Sequence, residues 1–493
     1  MLSDGPNYDA FLLLPHRMEE TFSAYISHTC TRCLGGRNSD PDPLARLMKM
    51  GLIAMSGVRA HNEELTRLGL TLPGFVERNK IIASLPSLGL LTLAGMTPKD
   101  VDLDYVEVDD IDEVDPLLCS FDAVAISTFS AQIKEAYTLA DRFRSAGVIV
   151  ILGGLHVTAR PDEALQHADS IVIGEGEPVW PKLVKDLKQR RLQKIYDASG
   201  TPFNLGSSPM PRFELLDIER YNRLTVQTQR GCPFNCEFCA ASIRLSPTFR
   251  VKPVDRVIAE IRRIKEIWPK PFIEFADDNT FANRKHAKKL LRALIPEEIR
   301  WFTESDISFA KDNELLGLLR DSGCAQVLIG LESPTRSALH GIEQKSDWKA
   351  RQLDSYLSAI ENIQSHGISV NGCFVLGLDD TGPESFEQVR DFVKQSGLYE
   401  VQITIQTAFP GTPLYDRLRR EERLLDETAW ELCTLFDVNF RPSGMTVSEL
   451  EEKFVWLAKE LYSAKATRAR RMGFFRKLHD MNRRVRSHAG GTA

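Results

Sequence analysis

Three cysteines fall within eight residues near the middle of the chain. Cys232, Cys236 and Cys239 follow Arg230 and Gly231 with the spacing C-x3-C-x2-C. Three thiolates on one loop can bind a single iron–sulfur cluster and leave one of its irons without a protein ligand. Structural zinc sites usually have four ligands, and no fourth Cys or His lies nearby in the sequence. The spacing therefore favours an iron–sulfur cluster over three buried or zinc-bound cysteines.

A second pair, Cys30 and Cys33, has the spacing C-x2-C and lies close to His28. Such a pair binds a metal or a thiophilic substrate in some proteins and is a redox pair in others. A single pair without a partner pair is also compatible with incidental packing. The sequence leaves these alternatives open.

The elements that must position these residues alternate between strands and helices. Up to residue 190, short apolar runs are separated by helical patterns, which predicts an α/β domain with a doubly wound parallel sheet. Residues 16–84 interrupt this pattern after the first run and are predicted to be an insertion with its own structure or function. The predicted strands are Phe11–Leu14, Val101–Val108, Asp122–Ser127, Val148–Leu152 and Ser170–Ile173.

A linker rich in Pro, Gly and Ser is predicted over 191–215, followed by a second α/β domain over 216–415. Six strands that alternate with helices fit a partial (β/α)6 barrel, whose active site lies at the carboxyl ends of the strands. The cysteine cluster follows the first of them. The remaining residues, 416–493, are predicted to be a helical C-terminal region with a basic tail. The predicted barrel strands are 223–230, 271–277, 300–307, 325–332, 369–377 and 400–408.

The segment from Arg230 to Cys239 resembles the cluster loop of the radical S-adenosylmethionine (SAM) superfamily. In that family three cysteines hold a four-iron–four-sulfur cluster, and the open iron chelates the amino and carboxylate groups of SAM. One electron from the cluster then cleaves SAM and releases a 5′-deoxyadenosyl radical. The resemblance covers residues 220–440 and includes Pro410–Tyr415 after the sixth strand.

The resemblance also assigns SAM contacts to other positions. Phe238 matches the aromatic residue whose backbone lies near the adenine. Carboxylates after the second strand look like the contact to the SAM amino group, although the usual Gly-Gly-Glu is absent and the acting carboxylate stays open. A Gly-x-Glu-Ser turn after the fourth strand resembles the ribose and carboxylate contact, and a glycine after the fifth permits close approach of the adenine. These positions are Phe238, Glu274, Asp277, Asp278, Glu332, Ser333 and Gly377.

The region before the barrel resembles the cobalamin-binding domain of one subgroup of the superfamily. In that domain, hydroxyl groups and a glycine pair at the strand ends make room for the nucleotide tail of cobalamin, which implies Ser127, Thr128, Gly153 and Gly154. The Asp-x-His-x-x-Gly signature of an axial histidine is absent. This leaves open both a cobalamin without that ligand and a degenerate domain. His156 is interpreted as a hydrogen-bonding residue rather than a cobalt ligand. The matching pieces are Pro86–Leu91, Ser127–Ser130, Gly153–His156 and Gly174–Glu177.

Composition and charge exclude several other classes. The 493 residues carry a net charge of −6, no run reaches the length of a membrane span, and the N-terminus lacks the pattern of a signal peptide, so a cytoplasmic location is expected.

The segment 465–486 near the C-terminus contains nine Lys and Arg residues and one Asp. This basic helix could lie on an anionic membrane surface, bind an acidic carrier or be a solvated tail. No recognition motif supports nucleic-acid binding.

The resemblance implies a cobalamin-dependent radical SAM enzyme that C-methylates an unactivated carbon of a lipid or secondary metabolite. A flavodoxin or ferredoxin would donate the electron. A second hypothesis keeps the radical without methyl transfer, for cyclisation, epimerisation, dehydration or transfer of another SAM fragment, and uses a degenerate cobalamin domain. A third is a non-catalytic cobalamin or redox binding module. The substrate cannot be identified from the sequence.

Overall fold

A six-stranded parallel sheet forms the first part of the computed structural model, which describes residues 47–57, 60–68, 85–240 and 248–489. The strand order is β2-β1-β3-β4-β5-β6. Its middle strands are buried on both faces because helices cover both sides, as expected for a doubly wound sheet. The strands are β1 (Met48–Met55), β2 (Val101–Val108), β3 (Ala123–Ser127), β4 (Ile149–Gly153), β5 (Ser170–Ile173) and β6 (Ile195–Asp197). The helices are α1 (Glu63–Arg67), α2 (Leu88–Met96), α3 (Ile133–Ser145), α4 (Leu155–Ala159), α5 (Pro161–Ala164) and α6 (Trp180–Lys188).

The strand β1 lies inside the predicted insertion 16–84, so that prediction is wrong for Met48–Met55. This strand pairs with both β2 and β3 and is central to the sheet. Gly51 interrupts its apolar run because the Phe121 ring packs there, 3.0 Å from where a Cβ would lie. The strand β6 likewise falls in the predicted linker 191–215 and pairs with β5. The predicted strand Phe11–Leu14 and the Cys30/Cys33 pair lie outside the described residues.

A second six-stranded parallel sheet follows, in the order β14-β13-β12-β11-β10-β7. Its strands run in chain order and are joined by helices, which is the predicted arrangement of a partial (β/α)6 barrel. The strands are β7 (Leu224–Val226), β10 (Phe272–Phe275), β11 (Arg300–Ser305), β12 (Cys324–Glu332), β13 (Ser369–Leu376) and β14 (Glu400–Ile405). A short antiparallel pair, β8 (Gln229–Arg230) and β9 (Arg250–Val251), flanks the cysteine loop.

The barrel helices bury one apolar face each against the sheet. In α7 the buried residues Val254, Val257, Ile258, Ile261 and Ile264 recur at helical spacing. The helices are α7 (Val254–Ile267), α8 (Arg284–Leu294), α9 (Asn313–Asp321), α10 (Arg336–Leu339), α11 (Trp348–Gln352), α12 (Tyr356–Ser365) and α13 (Glu384–Ser396).

The C-terminal part contains α14 (Pro413–Arg420), α15 (Val447–Tyr462) and α16 (Ala464–Ala489). Between α14 and α15 the chain is largely irregular. The basic segment predicted as a helix lies within α16, which is anchored by Arg470 and Arg471 on the buried carboxylate of Glu400 at distances of 3.1 and 2.7 Å. None of the helices in the described ranges is long and apolar enough to cross a membrane.

Candidate active site

The cysteine loop begins directly after β8, where Gly231 turns the chain with φ +83°. Cys232, Cys236 and Cys239 are all partly buried and lie close enough to influence one another electrostatically. Burial raises the pKa of Cys232 to about 11 and that of Cys236 to about 12. Thiolates at this site therefore need a nearby positive charge, which iron would supply.

The spacing of the donors suits a cluster better than a single ion. Among the residues that the structure describes, no three His, Cys, Asp or Glu side chains converge as ligands of one metal ion. Thiolates that each bind a different iron of one cluster lie farther apart than the ligands of one ion. Three cysteines on one loop therefore provide the donor set of an iron–sulfur cluster with one open iron.

The loop is held on one side by the segment after β12. The Glu237 N–H donates to the Ile342 carbonyl at 2.9 Å, and the Gln344 N–H donates to the Asn235 carbonyl at 3.0 Å. The Phe234 ring stacks on Trp348 with centroids 4.3 Å apart. This pairing fixes the backbone on both sides of Cys236.

Glu343 organises that segment. Although burial acts to raise the pKa of this carboxyl, hydrogen bonds from Ser346, Lys345 and Asn235 outweigh it and hold the pKa at about 2. The Ser346 N–H donates at 2.8 Å and its hydroxyl at 2.6 Å. The carboxylate thus stays ionised and ties the loop to the turn that supports it.

On its other side the loop is held by α14, which begins in the segment Pro410–Tyr415. Arg417 donates to both carboxylate oxygens of Glu237, at 2.6 and 2.9 Å, and pairs with Asp379 at 2.7 Å. Glu237 stands between two of the cysteines in the sequence. The bidentate ion pair therefore fixes the part of the loop that carries Cys236 and Cys239.

Replacing Arg417 with methionine is expected to loosen the cluster loop. Two partly buried carboxylates, Glu237 and Asp379, lose their shared partner, which costs about 2–3 kcal/mol of unfolding free energy. Reconstituted protein should release iron to a chelator faster than the wild type. The matched control is Arg419→Met on the same helix, because Arg419 is exposed and pairs with the exposed Asp416 at 3.7 Å. Equal rates of iron release in both variants would contradict the role given to Arg417.

The turn after β12 is built around a buried ion pair. The Lys349 ammonium donates to Glu332 and to the Gly330 carbonyl, each at 2.7 Å. Glu332 adopts φ +62°, and its carboxylate folds back so closely that a Cβ on Gly330 would lie 2.4 Å from it. Ser333 is buried, and its Oγ accepts from the Thr335 N–H at 3.2 Å. The Gly-x-Glu-Ser turn therefore holds a carboxylate beside Cys236, whose pKa Glu332 and Lys349 both influence.

The three predicted carboxylates after β10 have different surroundings. Glu274 pairs with the buried Arg223. Asp277 is buried and accepts from the Thr228 and Gln229 N–H groups at 2.8 and 3.0 Å, so it fixes the end of β7.

Asp278 is the carboxylate with access to a cavity. It lines that cavity and is close enough to Cys232 to influence the pKa of its thiol. Of the three carboxylates, its position best suits contact with a ligand at the cluster.

A fourth carboxylate, Glu304, was not predicted from the sequence. Trp301 packs in the core between the sheet and the helices, so by alternation Phe302 and Glu304 face the inside of the barrel. The Glu304 side chain is accessible from the open interior of the barrel, and the barrel wall surrounds it. Burial, reinforced by the negative charges of Glu274 and Asp278, raises its pKa to about 8.

The pKa of Glu304 predicts a pH-dependent stability. Because the folded protein binds this proton more tightly than the unfolded chain, the stabilisation is present at low pH and is lost as the pH rises towards about 8. In the protein without SAM, Glu304→Gln should therefore raise the melting temperature relative to wild type more at about pH 8 than at about pH 5. Glu361→Gln, an exposed position on α12, is the control. An equal effect of Glu304→Gln at both pH values would contradict the assignment.

The inner wall of the barrel is polar on its last two strands. Asn371 and Gln402 are buried on β13 and β14, and their side chains include amide atoms without a hydrogen-bond partner in the described part of the chain. Cys373 follows Asn371 by two residues on β13 and pairs with Gln402 on β14. Buried polar groups are nearly always satisfied, so this wall suits a ligand with polar groups.

Gly377 has a packing role. Its φ of +80° favours glycine, and a Cβ would lie 3.0 Å from Leu450 of α15. The missing side chain thus admits α15, whereas the sequence predicted room for the adenine. Phe238 packs against the apolar cores on both sides of the cysteine loop.

A cavity of about 360 Å³ that opens to solvent lies between the strand ends of the first sheet and those of the barrel. Ser127, Gly153 and Gly154 line it as predicted, whereas Thr128 does not: its hydroxyl donates to the Phe129 carbonyl at 3.1 Å. From the first domain the lining includes residues of α2 and 174–177, and from the barrel it includes Gln227, Arg230, Lys252, Ala276 and Asp278.

The cavity fits a large ligand such as cobalamin. Glycines stand at the ends of β4 and β5, where they leave the strand ends open, and Ser127 offers a hydroxyl group. The described residues that line it include no His or Cys, in agreement with the missing axial-histidine signature. His156 lies elsewhere, buried beside Trp430 and 3.4 Å from Glu163.

An ion-pair network joins the two halves of the cavity. Arg230 pairs with Glu177 at 2.7 Å and with Glu175 at 3.4 Å, and Arg250 also binds Glu175. Arg230 immediately precedes Gly231 and Cys232. The network therefore connects the loop 174–177 of the first domain to the start of the cysteine loop.

Comparison with known families agrees with both parts of this site. The model of the radical SAM superfamily matches residues 226–393, and the model of the B12 binding domain matches residues 79–184. The chain therefore contains a radical SAM domain and a B12-binding domain. A model described as a domain of unknown function matches residues 412–491. The cofactors of this group are a four-iron–four-sulfur cluster, SAM and cobalamin.

Relatives of this chain are named as methyltransferases or methylases. The bacteriochlorophyllide d C-12(1)-methyltransferase of Chlorobaculum tepidum is 29% identical over 392 residues, covering 78% of this chain and 84% of the relative. The hopanoid C-2 methylase of Rhodopseudomonas palustris is 28% identical over 357 residues, covering 70% and 67%.

A solved structure shares the fold. The radical SAM methyltransferase TsrM of Kitasatospora setae, solved with cobalamin and a [4Fe-4S] cluster bound, aligns with a TM-score of 0.58 and 14% identity. The alignment covers 76% of this chain and 75% of that one.

Several side chains of the site had no clear signal in the sequence. Lys349 and Arg417 lie in ordinary helical stretches and are brought to the cysteine loop only by the fold. Arg230 could have been found from its place beside Gly231 and Cys232. Glu304 could have been found from alternation, since it is an acidic residue on the inner face of a predicted strand.

Proposed function

We propose that this radical SAM enzyme uses cobalamin to methylate an unactivated carbon of a lipid or secondary metabolite. When bound, the cluster supplies the electron that cleaves SAM, and cobalamin carries the methyl group. The proposal is supported by one observation above all. The cavity assigned to cobalamin reaches from Ser127, Gly153 and Gly154 to Asp278, beside the cysteine loop.

In this proposal Cys232, Cys236 and Cys239 hold the cluster. Glu343 and Arg417 keep the loop in place, so the open iron is presented to SAM in one orientation. Asp278 accepts from the SAM amino group, because it is the acidic side chain after β10 that lines the cavity. Glu274 and Asp277 are assigned positioning roles, on Arg223 and on the end of β7.

The remaining SAM contacts come from the turn after β12. Glu332 and Ser333 are proposed to lie near the ribose, with Lys349 holding the Glu332 carboxylate in place. The backbone of Phe238 is proposed to lie near the adenine. Gly377 is proposed to shape the SAM site indirectly, through the tight turn that brings α15 against the barrel.

For cobalamin, the lining residues Ser127, Gly153 and Gly154 form the wall of the first domain. Arg230 and Lys252 offer N–H donors from the barrel side, and amide side chains of a corrin are suitable acceptors. The absence of a lining His leads us to propose a cobalamin without an imidazole ligand from the described residues.

The partners and location follow from the same chemistry. The names of the relatives, methylases of bacteriochlorophyllide d and of hopanoids, support an extended apolar skeleton as substrate. A flavodoxin or ferredoxin is proposed as electron donor. Three free thiolates require reducing surroundings, so we propose the cytoplasm.

The test is anaerobic reconstitution with iron, sulfide and hydroxocobalamin, followed by reduction with dithionite in the presence of SAM. The proposal expects bound corrinoid and both 5′-deoxyadenosine and S-adenosylhomocysteine by mass spectrometry. Deoxyadenosine without bound corrinoid would refute methyl transfer and favour another radical reaction. Failure to cleave SAM would leave only a binding module.

A further inference from the structure

The helix α16 separates its residues into two faces. Arg470, Arg471 and Phe474 point towards the barrel, where the two arginines bind Glu400 and the Phe474 ring contacts Tyr399. This face anchors the helix on β14. The opposite face is turned away from the protein.

The outer face forms a continuous stripe at helical spacing. Its members are exposed, and Lys465, Arg468, Met472 and Arg476 recur at intervals of three or four residues, with Phe475 beside Arg476. Met472 is 49% exposed and lies between basic side chains. Phe475, 40% exposed, lies at the edge of the stripe, where its ring also contacts Tyr399 with centroids 6.1 Å apart. The outer stripe consists of Lys465, Arg468, Met472, Phe475 and Arg476.

The charge of the stripe contrasts with that of the rest of the chain. The segment 465–486 carries nine basic residues and one acidic residue, a net charge of +8, whereas the whole chain carries −6. The remainder of the protein is therefore at −14 and is repelled by an anionic surface. The basic segment of α16 is therefore a surface that an anionic bilayer attracts.

We infer that the outer stripe of α16 binds the surface of a bilayer that contains anionic phospholipid. Lys465, Arg468 and Arg476 contact the headgroups, and Met472 and Phe475 enter the boundary between headgroups and acyl chains. Exposed apolar side chains between the cations distinguish this surface from one that binds nucleic acid, where they would gain nothing from phosphate contacts. Only the purpose of this membrane binding, the delivery of a membrane-borne substrate, rests on the proposed function.

The experiment is flotation of the full-length protein with vesicles, without SAM or reductant. One set of vesicles is pure phosphatidylcholine, and the other contains equal parts of phosphatidylcholine and phosphatidylglycerol. The protein is expected to float with the second set alone and to be released by salt. Because no radical chemistry takes place, the result is independent of whether the enzyme methylates its substrate.

Two double variants test the stripe. Arg468→Glu with Arg476→Glu should weaken binding to the anionic vesicles at least about tenfold, since each cation near such a surface contributes roughly a factor of five. Met472→Ser with Phe475→Ser should weaken binding while leaving its salt dependence in place. The matched control is Lys285→Glu with Lys289→Glu, which reverses two exposed cations on α8.

Folding controls and the α8 variant show whether a loss of vesicle binding is specific to the outer stripe. Unchanged thermal unfolding and an unchanged rate of SAM cleavage show that the variants are folded. The inference is overturned if the wild type stays unbound with anionic vesicles. It is also overturned if the α8 control loses binding as strongly as the stripe variants, or if a DNA duplex binds in a stripe-dependent way while the vesicles do not.

Discussion

Alanine at Cys232, Cys236 or Cys239 is expected to abolish 5′-deoxyadenosine formation completely. Each thiolate is assigned to a different iron, and the described residues near the loop provide no replacement ligand set. Loss of one ligand therefore removes the cluster rather than shifting its properties. The measurement combines iron and sulfide content, visible absorbance and deoxyadenosine after reduction, all in anaerobically reconstituted protein.

The matched control for these variants is Cys119→Ala. Cys119 is partly buried in the first domain and does not line the cavity. It should keep a full complement of iron and the wild-type rate of SAM cleavage. A Cys236→Ala protein that still formed deoxyadenosine at the wild-type rate would show that the cluster is held elsewhere.

Leucine at Gly153 is expected to remove bound corrinoid and to leave the cluster intact. A Cβ at this position meets only Val172, at 3.7 Å, which is an ordinary contact, so the backbone accepts a side chain there. Gly153 and Val172 both line the cavity, and a leucine side chain would fill space that the cofactor needs. The corrinoid retained after gel filtration should fall to background, and S-adenosylhomocysteine formation should fall with it.

The control is Gly317→Leu, because a Cβ on Gly317 in α9 meets nothing within 4 Å and lies away from the cavity. Iron content and deoxyadenosine formation serve as internal controls for both variants. If Gly153→Leu kept its corrinoid, the cavity would not be the cobalamin site. If it lost iron as well, the substitution would have disturbed the fold.

The sequence was sufficient to predict the barrel and the position of its cluster loop. Short apolar runs at regular intervals gave six strands, and each of them is present within a few residues of its predicted bounds. Acidic and glycine residues at the strand ends marked Ser127, Gly153 and Gly154 in the first sheet and Asp278 in the barrel, and all four line the cavity between the two sheets. This worked because the carboxyl ends of parallel strands necessarily meet.

Other features depend on contacts between distant residues and had no local signal. The strand β1 was missed because Gly51 breaks its apolar run to admit the Phe121 ring. Asp277 was predicted to contact SAM, whereas its carboxylate is occupied by the Thr228 and Gln229 N–H groups. Such partners become visible only when the register of the strands is known.

The same holds for the ion pairs around the cluster loop. Arg417 reaches Glu237 across 180 residues of sequence, and Lys349 reaches Glu332 around a turn of unusual backbone conformation. Charge alone does not pair residues at such separations. Each pair follows from the way the loop, the turn after β12 and α14 come together.

The most direct test of the central claim is to incubate the reconstituted protein with reductant and SAM labelled with deuterium in its methyl group. No substrate is needed, because methyl transfer to the cofactor precedes methylation of the substrate in this account. Cobalamin-dependent methyl transfer predicts that corrinoid released from the protein carries the deuterated methyl group, alongside S-adenosylhomocysteine. Unlabelled corrinoid in a protein that cleaves SAM to deoxyadenosine would contradict it.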